Sequence, residues 1–161
     1  MLANIVALKK NIVVAGSHGK TTTTSLVANI LVEADLDPTV INGGVINSLK
    51  NSAQLGKGEW AVIESDESDG SFLKLPITYS IVTNIDKEHL DYYGNFEKLK
   101  KSFCKFVEKT PSFGKSLVCI DSDNLKSILT KSALSVPIFF NSPVRSPSKI
   151  LNLESVLTSL W

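Results

Sequence analysis

Eight residues, Ala15-Gly16-Ser17-His18-Gly19-Lys20-Thr21-Thr22, constrain this chain more than any other stretch. An apolar run, Ile12 to Ala15, leads into them, and a row of threonines follows the lysine. That order is what a phosphate-binding loop between a strand and a helix requires. Glycines let backbone N–H groups approach phosphate oxygens, Lys20 neutralises their charge, and the Thr21 hydroxyl is placed to hold magnesium. The new helix adds the positive end of its dipole at the same point. The usual pattern has a glycine five residues before the second one. Here Val14 stands there, so the loop is a variant that is tighter at its start. Thr22 is expected to support the loop through its hydroxyl, and Thr23 and Thr24 to serve the helix start. His18 lies inside the loop, where contact with a ligand and a plain loop position are equally open readings.

The rest of the chain alternates strands and helices. Strands are expected at 12–15, 39–41, 60–64, 79–83 and 117–120, with one more candidate at 137–140. Helices are expected at about 20–34, 95–108 and 123–131. In the first, Val27, Ile30, Leu31 and Ala34 share a face. In the second, Phe96, Leu99, Phe103, Phe106 and Val107 do. Residues 42–58, with Gly43-Gly44 and Gly56-x-Gly58, read as a loop. The pattern predicts an α/β fold: a mostly parallel sheet flanked by helices. Ligands of such sheets bind beyond the carboxyl ends of the strands.

Two further polar clusters fall at such ends. Glu64 closes an apolar strand and opens Glu64-Ser65-Asp66-Glu67-Ser68-Asp69-Gly70. A hard carboxylate there suits magnesium. Asp66, Glu67 and Asp69 are its neighbours, and a solvated acidic loop is the plainer alternative for them. Asn84-Ile85-Asp86-Lys87-Glu88-His89-Leu90-Asp91 follows another strand. Asn84 either bonds a substrate or fixes the loop, and Asp91 is placed to orient His89. Magnesium rarely takes nitrogen, so His89 alone does not argue for a metal.

The bulk numbers exclude more than they assign. With 161 residues the chain suits one domain, and a formal net charge of +1 gives no electrostatic case for nucleic acid or an acidic membrane. Cys104 and Cys119 lie in apolar surroundings and read as buried thiols of a cytoplasmic protein. The short apolar start lacks the features of a signal peptide, and no stretch is long enough to cross a bilayer. A guanine-reading Asn-Lys-x-Asp is missing, and the sole arginine is Arg145, which disfavours a GTPase and an arginine-lidded kinase.

Together, the segments 15–24, 64–72 and 83–94 resemble the Mur ligases, in the branch that joins L-alanine to UDP-N-acetylmuramate in peptidoglycan precursor synthesis. Gly43-Gly44 with Asn51 and Leu55-Gly56 looks like that family's loop facing the sugar nucleotide. The resemblance implies an ATP-dependent carboxylate–amine ligase with ATP and Mg2+ as cofactors. Carried over by position, Gly16, Ser17, His18, Gly19, Lys20, Thr21, Thr22 and Asn84 would bind the nucleotide. Lys20, Glu64 and His89 would be catalytic. Thr21 would hold a first magnesium, and Glu64 and His89 a second. Residues 1–131 would be part of the central ATP-binding domain, separated from its flanking uridine-nucleotide and C-terminal domains. Residues 132–161 lack glycine and lose the pattern, which suggests a linker-like or frameshifted tail. A remnant that at most binds nucleotide is the rival reading.

Overall fold

The computed structural model describes residues 6–46, 51–129 and 137–140. Its seven strands are β1 (Lys10–Ala15), β2 (Thr39–Ile46), β3 (Asn51–Gln54), β4 (Trp60–Glu64), β5 (Tyr79–Val82), β6 (Ser116–Cys119) and β7 (Pro137–Phe140). They form one sheet in the order β3-β2-β4-β1-β5-β6-β7. Every pairing is parallel except β2 with β3. The helices are α1 (Lys20–Glu33), α2 (Leu90–Tyr93), α3 (Phe96–Glu108) and α4 (Asp123–Leu129), with a 3-10 turn at Ser71–Lys74.

The central strands are apolar on both faces, as a sheet covered twice must be. Alternate residues of each strand point to opposite sides. Val13 and Ala15 of β1, Ala61 and Ile63 of β4 and Val82 of β5 join the core under α3 and α4. Ile12, Val14, Val62 and Ile81 join the core under α1. The α3 face is the one read from the sequence: Leu99, Phe103, Phe106 and Val107 are buried. Asn95 starts that helix by accepting a hydrogen bond from the Lys98 N–H at 2.9 Å. Phe72 meets Phe103 and Phe106, each at 5.2 Å between ring centres. Each such ring contributes roughly 1.5–3 kcal/mol by burial alone.

Four expectations need correction. The buried stripe of α1 is Thr24, Ala28 and Leu31, and Ala34 is exposed. Leu31 is buried as expected and Val27 packs against the same core, but the polar Thr24 and the small Ala28 complete the inner face. Part of the expected 42–58 loop is a β2–β3 hairpin, which gives the sheet its one antiparallel edge. That hairpin returns the chain to the start of β2. Gly56 therefore lies beside Asp37 and Pro38, at the amino ends of the parallel strands, whereas Gly43 lies beside Glu64 at their carboxyl ends. The two glycines do not form one loop surface. Last, β7 pairs in parallel with β6, so a boundary at residue 131 passes inside the sheet. Residues 141–161 lie outside the described residues. Cys119 is buried and Cys104 half-buried, both as free thiols. No helix among the described residues is long and apolar enough to cross a membrane.

Candidate active site

In the strand order, β1 lies between β4 and β5, and the chain crosses from one side of β1 to the other between those two strands. The loops that leave β1, β4 and β5 therefore emerge side by side, at the kind of switch point where such sheets bind ligands. They are the loops that carry the three polar clusters.

The loop after β1 is shaped by two glycines. Gly16 has φ +138°, and a Cβ there would stand 2.1 Å from Thr83 Oγ1. Only glycine fits. Gly19 has φ +79°, precedes α1, and has open space where a Cβ would be. No side chain caps α1. Its first N–H groups and the positive end of its dipole are thus left for an anion.

The loop after β5 clamps the loop after β1. The His18 N–H donates to Asn84 Oδ1 at 2.9 Å, and Asn84 Nδ2 donates to the His18 carbonyl at 3.0 Å. Thr83 Oγ1 donates to the same carbonyl at 2.7 Å. The Ser17 N–H donates to the Asn84 carbonyl at 3.1 Å, and the Asp86 N–H to Ser17 Oγ at 2.8 Å. Of the two readings of Asn84, this geometry is that of a residue fixing the loop. Thr22 is exposed; Thr83 and Asn84 do the holding expected of it. The His18 ring is exposed, with Nε2 3.4 Å from Asp86 and 3.8 Å from Glu88.

The charged groups form two linked sets. Thr21 Oγ1 lies 3.1 and 3.0 Å from the two oxygens of Glu64, and the Gly43 N–H donates to Glu64 Oε2 at 2.8 Å. A Cβ on Gly43 would crowd that carboxylate at 2.9 Å. One residue along, Lys20 Nζ donates to the Gly16 carbonyl at 2.7 Å and to Glu67 Oε1 at 3.1 Å. His89 Nε2 stands 3.7 Å from the same Glu67 oxygen. So Lys20, Glu64 and His89, far apart in sequence, reach one rim through Thr21 and Glu67. Asp91 is exposed, and the acid beside the His89 imidazole is Glu67. His89 has φ +54° and starts α2, an uncommon conformation for a side-chain-bearing residue.

Glu67 is the residue the sequence concealed. Its side chain is 1% exposed, whereas an acidic run of that composition reads as solvated. Phe72 and Tyr93 are buried close to it in sequence or in contact, and the Tyr93 hydroxyl donates to the Glu67 carbonyl. Burial, and then the nearby Tyr92 and carboxylates, push the Tyr93 phenol up to about 12. Glu67, Glu88 and His89 present ligand atoms within 4.8 Å of one another. The Thr21–Glu64 pair is a hard oxygen set of the kind magnesium takes.

The model of the Mur ligase middle domain family matches residues 14–142. The chain belongs to the Mur ligases. It is 56% identical over 154 residues to UDP-N-acetylmuramate–L-alanine ligase of Pelagibacter ubique, covering 96% of this chain and 33% of that protein. This Mur ligase chain therefore spans about a third of the length of that relative. Among solved structures, it resembles a UDP-N-acetylmuramate:L-alanyl-γ-D-glutamyl-meso-diaminopimelate ligase from Neisseria meningitides. There the TM-score is 0.77 at 26% identity, covering 86% of this chain and 48% of that one. The UDP-N-acetylmuramate–alanine ligase of Thermotoga maritima gives a TM-score of 0.69 at 29% identity, with 83% and 30% covered.

Proposed function

We propose that this chain is the ATP-binding centre of a cytoplasmic ligase that joins L-alanine to UDP-N-acetylmuramate through an acyl phosphate. The observation that carries the proposal is the shared rim of the phosphate loop, Glu64 and His89 at the carboxyl ends of β1, β4 and β5. The 56% identity to a ligase of that name supports the choice of substrates. On this reading, the described sheet is the central domain, and the uridine-nucleotide and C-terminal modules come from polypeptide beyond these residues.

Residues Gly16 to Thr22 receive the β- and γ-phosphates of ATP on backbone N–H groups and the α1 dipole. Asn84 holds that loop in shape. Lys20 adds a positive charge where negative charge spreads during transfer of the γ-phosphoryl group to the lactyl carboxylate. Thr21 and Glu64, which the structure pairs with each other where the resemblance grouped Glu64 with His89, would hold one divalent cation through oxygen, and His89 would belong to the binding set of a second. A bound Mg2+ supplies charge neutralisation and alignment of the phosphates. The amine of L-alanine then attacks the acyl carbon and phosphate leaves. The outer modules bring that amine and the sugar nucleotide, so the isolated chain is expected to bind nucleotide without ligating.

Two measurements test this. Titration calorimetry should show ATP binding in the presence of Mg2+, lost in Lys20→Ala. A ligase carrying this segment as its central module should release phosphate only when UDP-N-acetylmuramate and L-alanine are both present. Unchanged binding in Lys20→Ala refutes the assigned phosphate site. Phosphate release indifferent to those two substrates refutes the assigned reaction.

A further inference from the structure

The phosphate-loop lysine is already engaged. Its Nζ contacts the Gly16 carbonyl at 2.7 Å and both Glu67 oxygens at 3.1 and 3.0 Å. The approach to Oε2 is close enough for ion pairing but off the hydrogen-bonding direction, so that oxygen has no hydrogen-bond partner although it is buried. Lys20 is 16% and Glu67 1% exposed, so solvent screens the pair little. A fully buried carboxylate needs a counter-charge, and here Lys20 supplies it. Yet an arriving triphosphate needs the same ammonium. Were Lys20 to turn to the phosphates with nothing in its place, Glu67 would be left as a buried, uncompensated anion beside another anion.

His89 Nε2 at 3.7 Å from Glu67 Oε1 and the Glu88 carboxylate complete a set whose ligand atoms lie within 4.8 Å of one another. This is a place where a divalent cation can replace the ammonium. We propose that Glu67 is an electrostatic gate: it holds Lys20 neutralised in the empty site and yields it to the nucleotide only when a divalent cation takes over as its counter-charge. Glu67 thereby makes nucleotide binding depend on the metal. It is a positioning residue for Lys20. The inference rests on the nucleotide-binding reading above and adds to it a reason why free ATP should be rejected.

The partners that face Glu67 set what each substitution should do. Glu67→Gln keeps the shape, and its amide oxygen can still accept from Lys20, but the negative charge is gone. The Tyr93 hydroxyl contacts the backbone carbonyl of residue 67 and is not disturbed. Glu67→Asp keeps the charge.

The test is calorimetry of ATP on the full chain, with saturating Mg2+ and with EDTA, for the wild type and both variants. The wild type should bind ATP far better with Mg2+ than without. In Glu67→Gln, binding of metal-free ATP should tighten by about tenfold or more, because one buried charge a few ångströms from a polyanion has been removed. The ratio of affinities with and without Mg2+ should shrink correspondingly. Glu67→Asp should keep a large ratio, which separates charge from packing, and a thermal melt of each variant confirms folding. If Glu67→Gln binds metal-free ATP no better than the wild type, the gate is overturned while the phosphate site stands. If it folds poorly and Glu67→Asp loses the metal dependence although folded, the gate is likewise overturned. If the folded wild type binds ATP under neither condition, both the gate and the nucleotide reading fall.

Discussion

Replacing Gly16 by alanine should unsettle the fold and the phosphate loop together. At φ +138° an alanine is strained whatever the space around it, and here the space is also taken. Its Cβ would meet Thr83 Oγ1 at 2.1 Å and the Asn84 carbonyl and N–H at 3.0 and 3.1 Å. Backbone strain of this kind costs about 1–3 kcal/mol. Forcing a methyl into a filled space costs about 1–3 kcal/mol more. The sum, roughly 2–6 kcal/mol, is a large share of the 5–15 kcal/mol that holds a typical domain together. Thr83 is not free to yield, because its hydroxyl donates to the His18 carbonyl at 2.7 Å. Urea unfolding should therefore show a much lower midpoint for Gly16→Ala. Adding Thr83→Ala should recover the part due to the hydroxyl clash and leave the part due to φ. A Gly16→Ala unfolding free energy within about 0.5 kcal/mol of the wild type, the range of an unconstrained surface change, would refute the reasoning.

Other outcomes follow from single contacts. Phe103→Ala should cost about 3–5 kcal/mol, read from the same unfolding curves, because the ring is fully buried against Phe72. Asn84→Ala removes two hydrogen bonds to His18 at the protein surface, so it should weaken ATP binding by several-fold while moving the unfolding midpoint little. Tyr93 should resist ionisation up to about 12, visible as late tyrosinate absorbance. Its folded value lies above the ordinary one near 10, so its contribution to stability is complete below pH 10 and is lost as the pH rises towards 12. In Tyr93→Phe that part of the alkaline loss should be missing.

How far the sequence reached depends on whether the deciding signal was local. The β1 strand, the glycines and Lys20 are contiguous, so phosphate-loop chemistry can be read without a structure. The α3 face was equally legible, because its apolar residues recur with the helical period and one face alone is covered. Strand β3, with the sequence Asn-Ser-Ala-Gln, was not. An edge strand that is half in solvent needs no apolar run, and its pairing with β2 is a tertiary fact. The inner face of α1 escaped for a related reason. Thr24 is polar in the sequence but fully buried in the fold, as is the small Ala28 beside it. Glu67 is the most instructive case. Its six neighbours, Glu64 to Asp66 and Ser68 to Gly70, carry no sign that this one carboxylate turns inwards. Burial comes from its contacts with Lys20, His89 and Tyr93, which lie 22 to 47 residues away. The sequence placed three chemistries at strand ends, but not the carboxylate that joins two of them.

The most direct test is a crystal structure of the chain with a non-hydrolysable ATP analogue and Mn2+, with anomalous scattering locating the metal. The account predicts β- and γ-phosphates against residues 16–22, one manganese in contact with Thr21 and Glu64, and Lys20 turned from Glu67 to the phosphates. A nucleotide seated elsewhere on the sheet, or a metal that leaves Thr21 and Glu64 untouched, would contradict it.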